Sequence, residues 1–306
     1  MIPYGFTNQG FGTSKSSPWR AGANESTNIY FSHDVTIEGK ALKAGTYGFF
    51  VVVEEKGPWT IIFSKDTQGW GSYFYDPAND ALRVQVNSKE ANSSEWLTYG
   101  FEEKLPQSSI AYLQWENKKI PFKVEVPNVN NIQLEIIKNE LAGSKGFDYN
   151  NWKDAAVFCL TNKLDLNDAL YFADAAISML YVGKETFITL QVKSDVLMAM
   201  GKTEDSKNVM QKALRHQTAT VVDLHQYARK LLGEGKKEEA LDVYKLNRTM
   251  HPDDTFTTYF GLARGYAAVG DKKNAIKNWE TAIKNIPEDQ KPNLDYYKGE
   301  LKKLKG

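Results

Sequence analysis

The chain has 306 residues, with 38 Lys and Arg against 38 Asp and Glu, so its formal net charge is zero. The balance is also local, 12 basic to 14 acidic residues in 1–127 and 26 to 24 in 128–306, which leaves no strongly basic field for nucleic acid or an anionic membrane. The length argues for two domains, no stretch approaches the ~20 apolar residues of a membrane span, and the single cysteine, Cys159, cannot form an internal disulfide.

The start, Met1-Ile2-Pro3-Tyr4-Gly5, has neither the basic nor the apolar region of a signal peptide. Residues 1–127 then read as strands, and they hold 21 aromatic residues against 17 in the longer remainder. Asn28–Phe31 and Val35–Glu38 flank a turn, Leu42–Gly45 leads into the β-branched and aromatic run Thr46–Glu54, and Trp59–Ser64, Ala81–Val86, Trp96–Phe101, Ala111–Glu116 and Pro121–Val126 follow. Leu82-Arg83-Val84-Gln85-Val86 alternates an oily with a solvated face, and Asn117-Lys118-Lys119 reads as a short hairpin loop. Short antiparallel strands with Gly, Asn, Asp and Pro between them predict an antiparallel β-sandwich or open barrel that ends near Pro127.

A connecting helix or linker is expected over 128–150, and paired helices over 151–306. Gly235 and Gly270 are 35 residues apart, as are Ala240 and Ala275, Tyr244 and Trp279, and Pro252 and Pro287. Gly201, 34 residues before Gly235, opens a looser copy with Met210 and Ala213, and Trp152, Ala156, Leu160, Ala169, Ala173 and Ala176 mark a weaker one. A small residue lets two helices approach, glycine permits a left-handed turn after the first, and proline ends the second. One hairpin cannot bury its apolar face alone, so copies must stack. The reading is mixed: β first, then an α-solenoid with a polar capping helix over 293–305.

The unit with Tyr259, Leu262, Ala263, Tyr266, Gly270, Ala275, Trp279, Ala282 and Pro287 resembles the tetratricopeptide repeat (TPR) at nearly every position. The preceding unit, Leu224, Tyr227, Ala228, Leu231, Gly235, Ala240, Tyr244 and Pro252, departs at Asn247, where a small residue is usual. In the first half, Pro18-Trp19-Arg20-Ala21-Gly22-Ala23-Asn24-Glu25-Ser26, Gly39–Tyr47, Trp59–Lys65 and Trp70-Gly71-Ser72-Tyr73 resemble the DUF2911 family, a domain of unknown function common in Bacteroidetes-type bacteria. In that family the segment like Ile2–Gly5 is usually internal, behind a signal peptide and further strands. An N-terminally incomplete sandwich is therefore one reading of the chain's start. The resemblance implies export to the periplasm or cell surface and supplies no catalytic residues.

Chemistry is sparse. His33, His216, His225 and His251 are scattered without metal-ligand spacing, so neither a metal nor a cofactor is expected. Gly10-Phe11-Gly12-Thr13-Ser14-Lys15 lacks the full spacing of a phosphate loop, Gly233-Glu234-Gly235-Lys236 is a hairpin turn, and Gly143-Ser144-Lys145-Gly146 is no nucleophile elbow. Glu54-Glu55 and Glu102-Glu103 fall at strand ends, where solvated charge is the ordinary outcome. Trp19, Arg20, Asn24 and Glu25 form the best candidate loop of the first half, with Arg20 suited to clamping a carboxylate or phosphate; an internal Arg20–Glu25 ion pair is the favoured alternative. Trp70, Tyr73 and Tyr75 could make a platform for a sugar ring, but alternation favours at least two of them as core.

In TPR units the second, fifth and ninth positions line the concave groove. By resemblance these are Ile188, Gln191 and Asp195, then Val222, His225 and Arg229, then Thr257, Phe260 and Arg264. Arg229 and Arg264 lie one repeat apart and suit an acidic peptide group, unless a nearby Glu or solvent satisfies them. The leading expectation is a non-catalytic scaffold for a protein or peptide partner. A carbohydrate- or ligand-binding sandwich is the second reading, and an exported hydrolase using the Trp19–Glu25 loop is the third.

Overall fold

The computed structural model describes residues 13–14, 17–54 and 56–306. Ile2–Gly5, most of Gly10–Lys15, and Glu55 lie outside the described residues. The chain divides into two compact units between Ile132 and Gln133.

In the first unit a two-residue ladder joins β1 (Thr13–Ser14) to β2 (Ser17–Pro18). The strands β3 (Asn28–Phe31), β4 (Val35–Ile37), β5 (Lys40–Leu42), β6 (Gly45–Val52), β7 (Trp59–Ser64), β8 (Asp80–Val86), β9 (Lys89–Leu105) and β10 (Ser108–Glu125) build two antiparallel sheets, ordered β5-β4-β10-β9 and β3-β6-β7-β8. The sheets meet as a sandwich because alternate apolar residues face inward. Phe49, Val51, Trp59, Ile61, Phe63 and Val84 of the second sheet share one core with Ile37, Leu113, Ile120 and Phe122 of the first. Phe122 spans the gap, stacking on Phe49 with ring centroids 5.7 Å apart and meeting Phe63 edge-on at 6.1 Å. The outer face of the second sheet buries Phe50, Val52 and Ile62, with Tyr75 of the 65–76 loop packed on them.

Two expectations change here. Asn117-Lys118-Lys119 is no hairpin loop: it lies inside β10, where Lys118 pairs with Glu90 and Lys119 with Lys89. The register shifts on either side of Glu116, whose φ is +49°, so this polar cluster marks a bulge rather than a reversal. The chain reverses instead at Pro106-Gln107. Pro121 survives within β10 because ladder pairing with β9 ends at Lys119 and pairing with β4 begins at Val124. Nor do two of Trp70, Tyr73 and Tyr75 enter the core. No strand forms there, Trp70 and Tyr73 are exposed, and Tyr75 alone packs inward.

The second unit is helical: α1 (Val129–Leu141), α2 (Tyr149–Thr161), α3 (Leu166–Ser178), α4 (Phe187–Ala199), α5 (Thr203–Leu214), α6 (Val221–Gly233), α7 (Lys237–Met250), α8 (Thr257–Ala268), α9 (Lys272–Lys284) and α10 (Leu294–Lys305). From α2 to α9 they pair as four hairpins, α2 with α3 through α8 with α9, and α10 packs on α9. Leu134 and Leu141 of α1 join the core of the first hairpin beside Trp152 and Phe172.

The repeat has a local cause. Gly201, Gly235 and Gly270 have φ of +77°, +79° and +86° and follow α4, α6 and α8. After each, the next amide donates back into the helix: Lys202 to Leu197, Lys236 to Leu231 and Asp271 to Tyr266, all at 2.9 Å. This closes the Schellman motif three times. Ala213, Ala240 and Ala275 are fully buried where the second helices pack. Gly235→Ala places a β-carbon in the left-handed region and is expected to cost about 1–2 kcal/mol, read as a lower Tm.

Asn247, which departs from the repeat pattern, is fully buried and hydrogen-bonded. Its Nδ2 donates to Val221 O at 2.9 Å, and its Oδ1 lies 2.8 Å from His251 Nδ1. With His251 Nε2 3.0 Å from Ala219 O, the amide and imidazole together tie the end of α7 to the turn before α6. Arg248 braces the following turn, donating to Asp254 O, Pro252 O and Thr258 Oγ1 with its guanidinium over the Tyr259 ring.

Candidate functional site

The helical groove positions separate into two groups. Tyr244 of α7 inserts between α6 and α8, where its ring meets His225 (5.5 Å between centroids) and the glycine face of α8. A β-carbon at Gly261 would lie 2.5 Å from Tyr244 Cδ1, and one at Gly265 2.9 Å from Cδ2, so two glycines one turn apart make the slot for this ring. His225 in turn stacks on Phe260 (5.4 Å, 19°), and the Arg264 guanidinium lies over the same ring, 5.5 Å from its centroid. Four of the nine groove residues named from sequence therefore belong to one neighbourhood: His225, Phe260 and Arg264 in direct contact, and Arg229 on the exposed side of α6, one turn from His225.

Electrostatics joins these residues too. Burial, then the positive charges of Arg264 and Arg229, push the His225 imidazole down to about 4, so it is neutral at neutral pH. Burial pushes the Tyr244 hydroxyl up to about 12. Both groups are orphans: His225 Nδ1 and Tyr244 Oη are buried and have no hydrogen-bond partner. Neither arginine is used up by an acid. Arg229 Nη1 donates to Gln226 Oε1 at 3.2 Å, Arg264 lies over Phe260, and among the described residues neither forms an ion pair. The nearby Glu expected as an alternative partner is not in place.

The groove residues of α4, and Val222 of α6, behave differently. Asp195 of α4 accepts from Lys230 at 3.3 Å, a largely solvated pair. Gln191 is half-buried on α4. Ile188 and Val222, one repeat apart at the second groove position, are exposed apolar side chains at 49% and 58%.

In the sandwich, the two candidate loops named from sequence are laced together. Ser26 Oγ donates to Gly69 O at 2.7 Å, Asn28 Nδ2 to Thr67 O at 3.2 Å, and the Ser17 and Ser72 hydroxyls lie 3.2 Å apart. Trp19 pairs its backbone with Val51 in both directions at 2.8 Å and stacks its ring on Trp115 at 5.7 Å. The Arg20–Glu25 ion pair does not form. Glu25 is exposed, and the left-handed backbone at Ala21 (φ +52°) and Asn24 (φ +64°) turns the chain between them. Sequence reasoning missed the brace at the far end of the 65–76 loop, where Tyr75 Oη donates to Asp80 and accepts from Arg83 Nη2 at 2.6 Å. It also missed an apolar cavity of about 560 Å³ beside edge strand β3, lined by Ile29, Phe31, Phe101, Ala111 and Phe122 among others. Among the described residues no His, Cys, Asp and Glu cluster is arranged to hold a metal, and no helix is long and apolar enough to cross a membrane.

These features define the class: an antiparallel β-sandwich followed by tetratricopeptide-type helical hairpins. Residues 8–124 match the family model described as Protein of unknown function (DUF2911), which is the resemblance carried by Trp19–Glu25, Gly39–Tyr47, Trp59–Lys65 and Trp70–Tyr73. No curated protein matches the chain. Similar solved structures include the C-terminal part of a TPR repeat-containing protein from Cytophaga hutchinsonii, 15% identical over 57% of this chain and 74% of that one, with a TM-score of 0.39. YrrB, described as a TPR protein with an unusual peptide-binding site, is 16% identical over 56% and 84%, with a TM-score of 0.35. MamA is 13% identical over 51% and 88%, with a TM-score of 0.35.

Proposed function

We propose that the helical unit is a scaffold that captures an acidic segment of a protein partner on α6 and α8. The observation that supports this most is the set Arg229, Arg264, His225 and Tyr244: two guanidinium groups without carboxylate partners beside two buried polar atoms without hydrogen bonds. Native proteins satisfy such groups with protein, water or ligand. A carboxylate is the natural acceptor for such guanidinium groups. Ile188 and Val222 offer apolar contact for flanking partner residues.

Selection of a displayed random-peptide library on the full chain checks this. Enriched peptides are expected to carry Asp, Glu or a free C-terminus, and the Arg229→Glu, Arg264→Glu double variant should fail to retain them. Recovery of the same peptides by the double variant would refute the proposal. Residence in the periplasm or at the cell surface belongs to the same proposal and rests on the family resemblance; fractionation of producing cells tests it, and recovery in the cytoplasm alone would end it.

A further inference from the structure

We infer that the open seam of the sandwich between edge strands β3 and β9 is a binding site for an uncharged, largely hydrocarbon small molecule. It lies wholly within the first unit and is independent of the helical groove.

The first observation is that the core is incomplete here. Among the described residues β3 and β9 are each the last strand of a sheet, and the cavity of about 560 Å³ lies beside both. Phe101 of β9 pairs with Ala111 of β10, so the two side chains share a face of the sheet. Ala111 belongs to the buried core, so Phe101 also faces inward, yet it is 65% exposed. Ile29, Phe31, Val124 and Val126 line the same cavity and pack against the core while only partly buried. In a closed sandwich the facing sheet covers such inward residues. Here the second sheet stops at β3, and the small Ala111 leaves the space between them unfilled.

The second observation is the chemistry of the lining. Among the described residues around the cavity none is Asp, Glu, Lys or Arg. His33 is exposed, with its Nδ1 2.9 Å from Ser32 Oγ, and the Tyr99 hydroxyl is already committed to Ala21 O. An ion entering this space gives up its hydration and meets no counter-charge, whereas apolar surface gains by leaving water. The volume falls in the range of pockets that hold drug-sized molecules, and apolar walls with a few polar groups are their usual composition.

The third observation selects a compact guest over an added strand. β3 spans only four residues, Asn28–Phe31, so its free edge gives an extended peptide few ladder positions. The wall is drawn instead from β3, the turn after it, β9 and β10 together, which surrounds a small molecule rather than running along one edge. Its floor is already set by aromatic packing. Phe31 meets Phe63 at 6.0 Å between ring centroids, and Phe122 lies between Phe49 and Phe63 at 5.7 and 6.1 Å. Small-molecule sites are largely formed before the ligand arrives.

The test titrates the full chain with phenylnaphthylamine, an uncharged probe that fluoresces in apolar surroundings, and with anilinonaphthalenesulfonate, the same ring system bearing a sulfonate. The uncharged probe is expected to saturate at one site per chain and to bind about tenfold or more tighter than the sulfonate. Ala111→Leu fills the cavity and Phe101→Ser removes a largely exposed part of its wall; each should weaken the uncharged probe by about tenfold. Phe101→Ser decides the matter if Ala111→Leu fails to fold. Overturning results are no saturable binding, equal affinity for the two probes, or affinity left unchanged by either folded variant. A native chain that sediments as a dimer, and as a monomer after Phe101→Ser, would also overturn the inference by making the seam an interface between copies. Displacement of the probe by an alternating Val-Thr peptide would do so by making it a strand-docking edge.

Discussion

Tyr244→Ala is expected to destabilise the helical unit by about 3–5 kcal/mol, the cost of emptying a fully packed aromatic site, whereas Tyr244→Phe should leave it as stable or slightly more so. The contrast follows from how the residue is held. The ring is completely buried and fills the slot over Gly261 and Gly265, so its removal opens a cavity between α6, α7 and α8. The hydroxyl is buried without a partner, and an unsatisfied buried group costs about 1–3 kcal/mol, so deleting it removes a penalty. Gly261→Ala attacks the same contact from the other side, since its new methyl lies 2.5 Å from the ring; about 1–3 kcal/mol of overpacking is expected. Denaturant melts of the three variants check this. Tyr244→Phe falling as far as Tyr244→Ala would mean that the hydroxyl has a partner within the fold.

The second large effect depends on pH. His225 is 6% exposed, and its imidazole is held near 4 by burial and by Arg264 and Arg229. The unfolded chain binds this proton near 6.5 while the folded chain excludes it down to about 4. The stability contribution is therefore complete above pH 6.5 and declines as the pH falls toward 4. The difference in pKa corresponds to at most about 3 kcal/mol. Melts of the native chain and His225→Phe between pH 7.5 and 4 isolate this contribution from carboxylate titration. The native chain should lose more stability over that interval, and parallel curves would show that His225 is protonated in the fold.

The helical repeat was legible because its signals are local. Gly235 and Gly270 end helices through backbone geometry, and Ala240 and Ala275 mark close helix contact, whatever surrounds them. Strands Asn28–Phe31 and Trp59–Ser64 were legible for the same reason, as β-branched and aromatic runs between turn residues. The β9–β10 hairpin was not. Its bulge at Glu116 uses polar residues that look like a turn, and Pro121 looks like a break unless the change of partner strand from β9 to β4 is known. Site chemistry was partly legible. The repeat period brought His225, Phe260 and Arg264 to one place, but choice of partner is a tertiary matter. Asp195 turns to Lys230, and Glu25 is exposed and forms no ion pair with Arg20. Tyr244 was read as a packing residue, and its orphan hydroxyl depends on the slot formed by another helix.

The most direct test of the peptide-binding account is calorimetric titration of one selected acidic peptide into the full chain, alongside an isosteric peptide whose carboxylates are amidated. Loss of the carboxylates is expected to weaken binding about tenfold or more, and Arg229→Glu with Arg264→Glu should remove that difference. Equal affinity for the acidic and amidated peptides in the native chain would contradict the account.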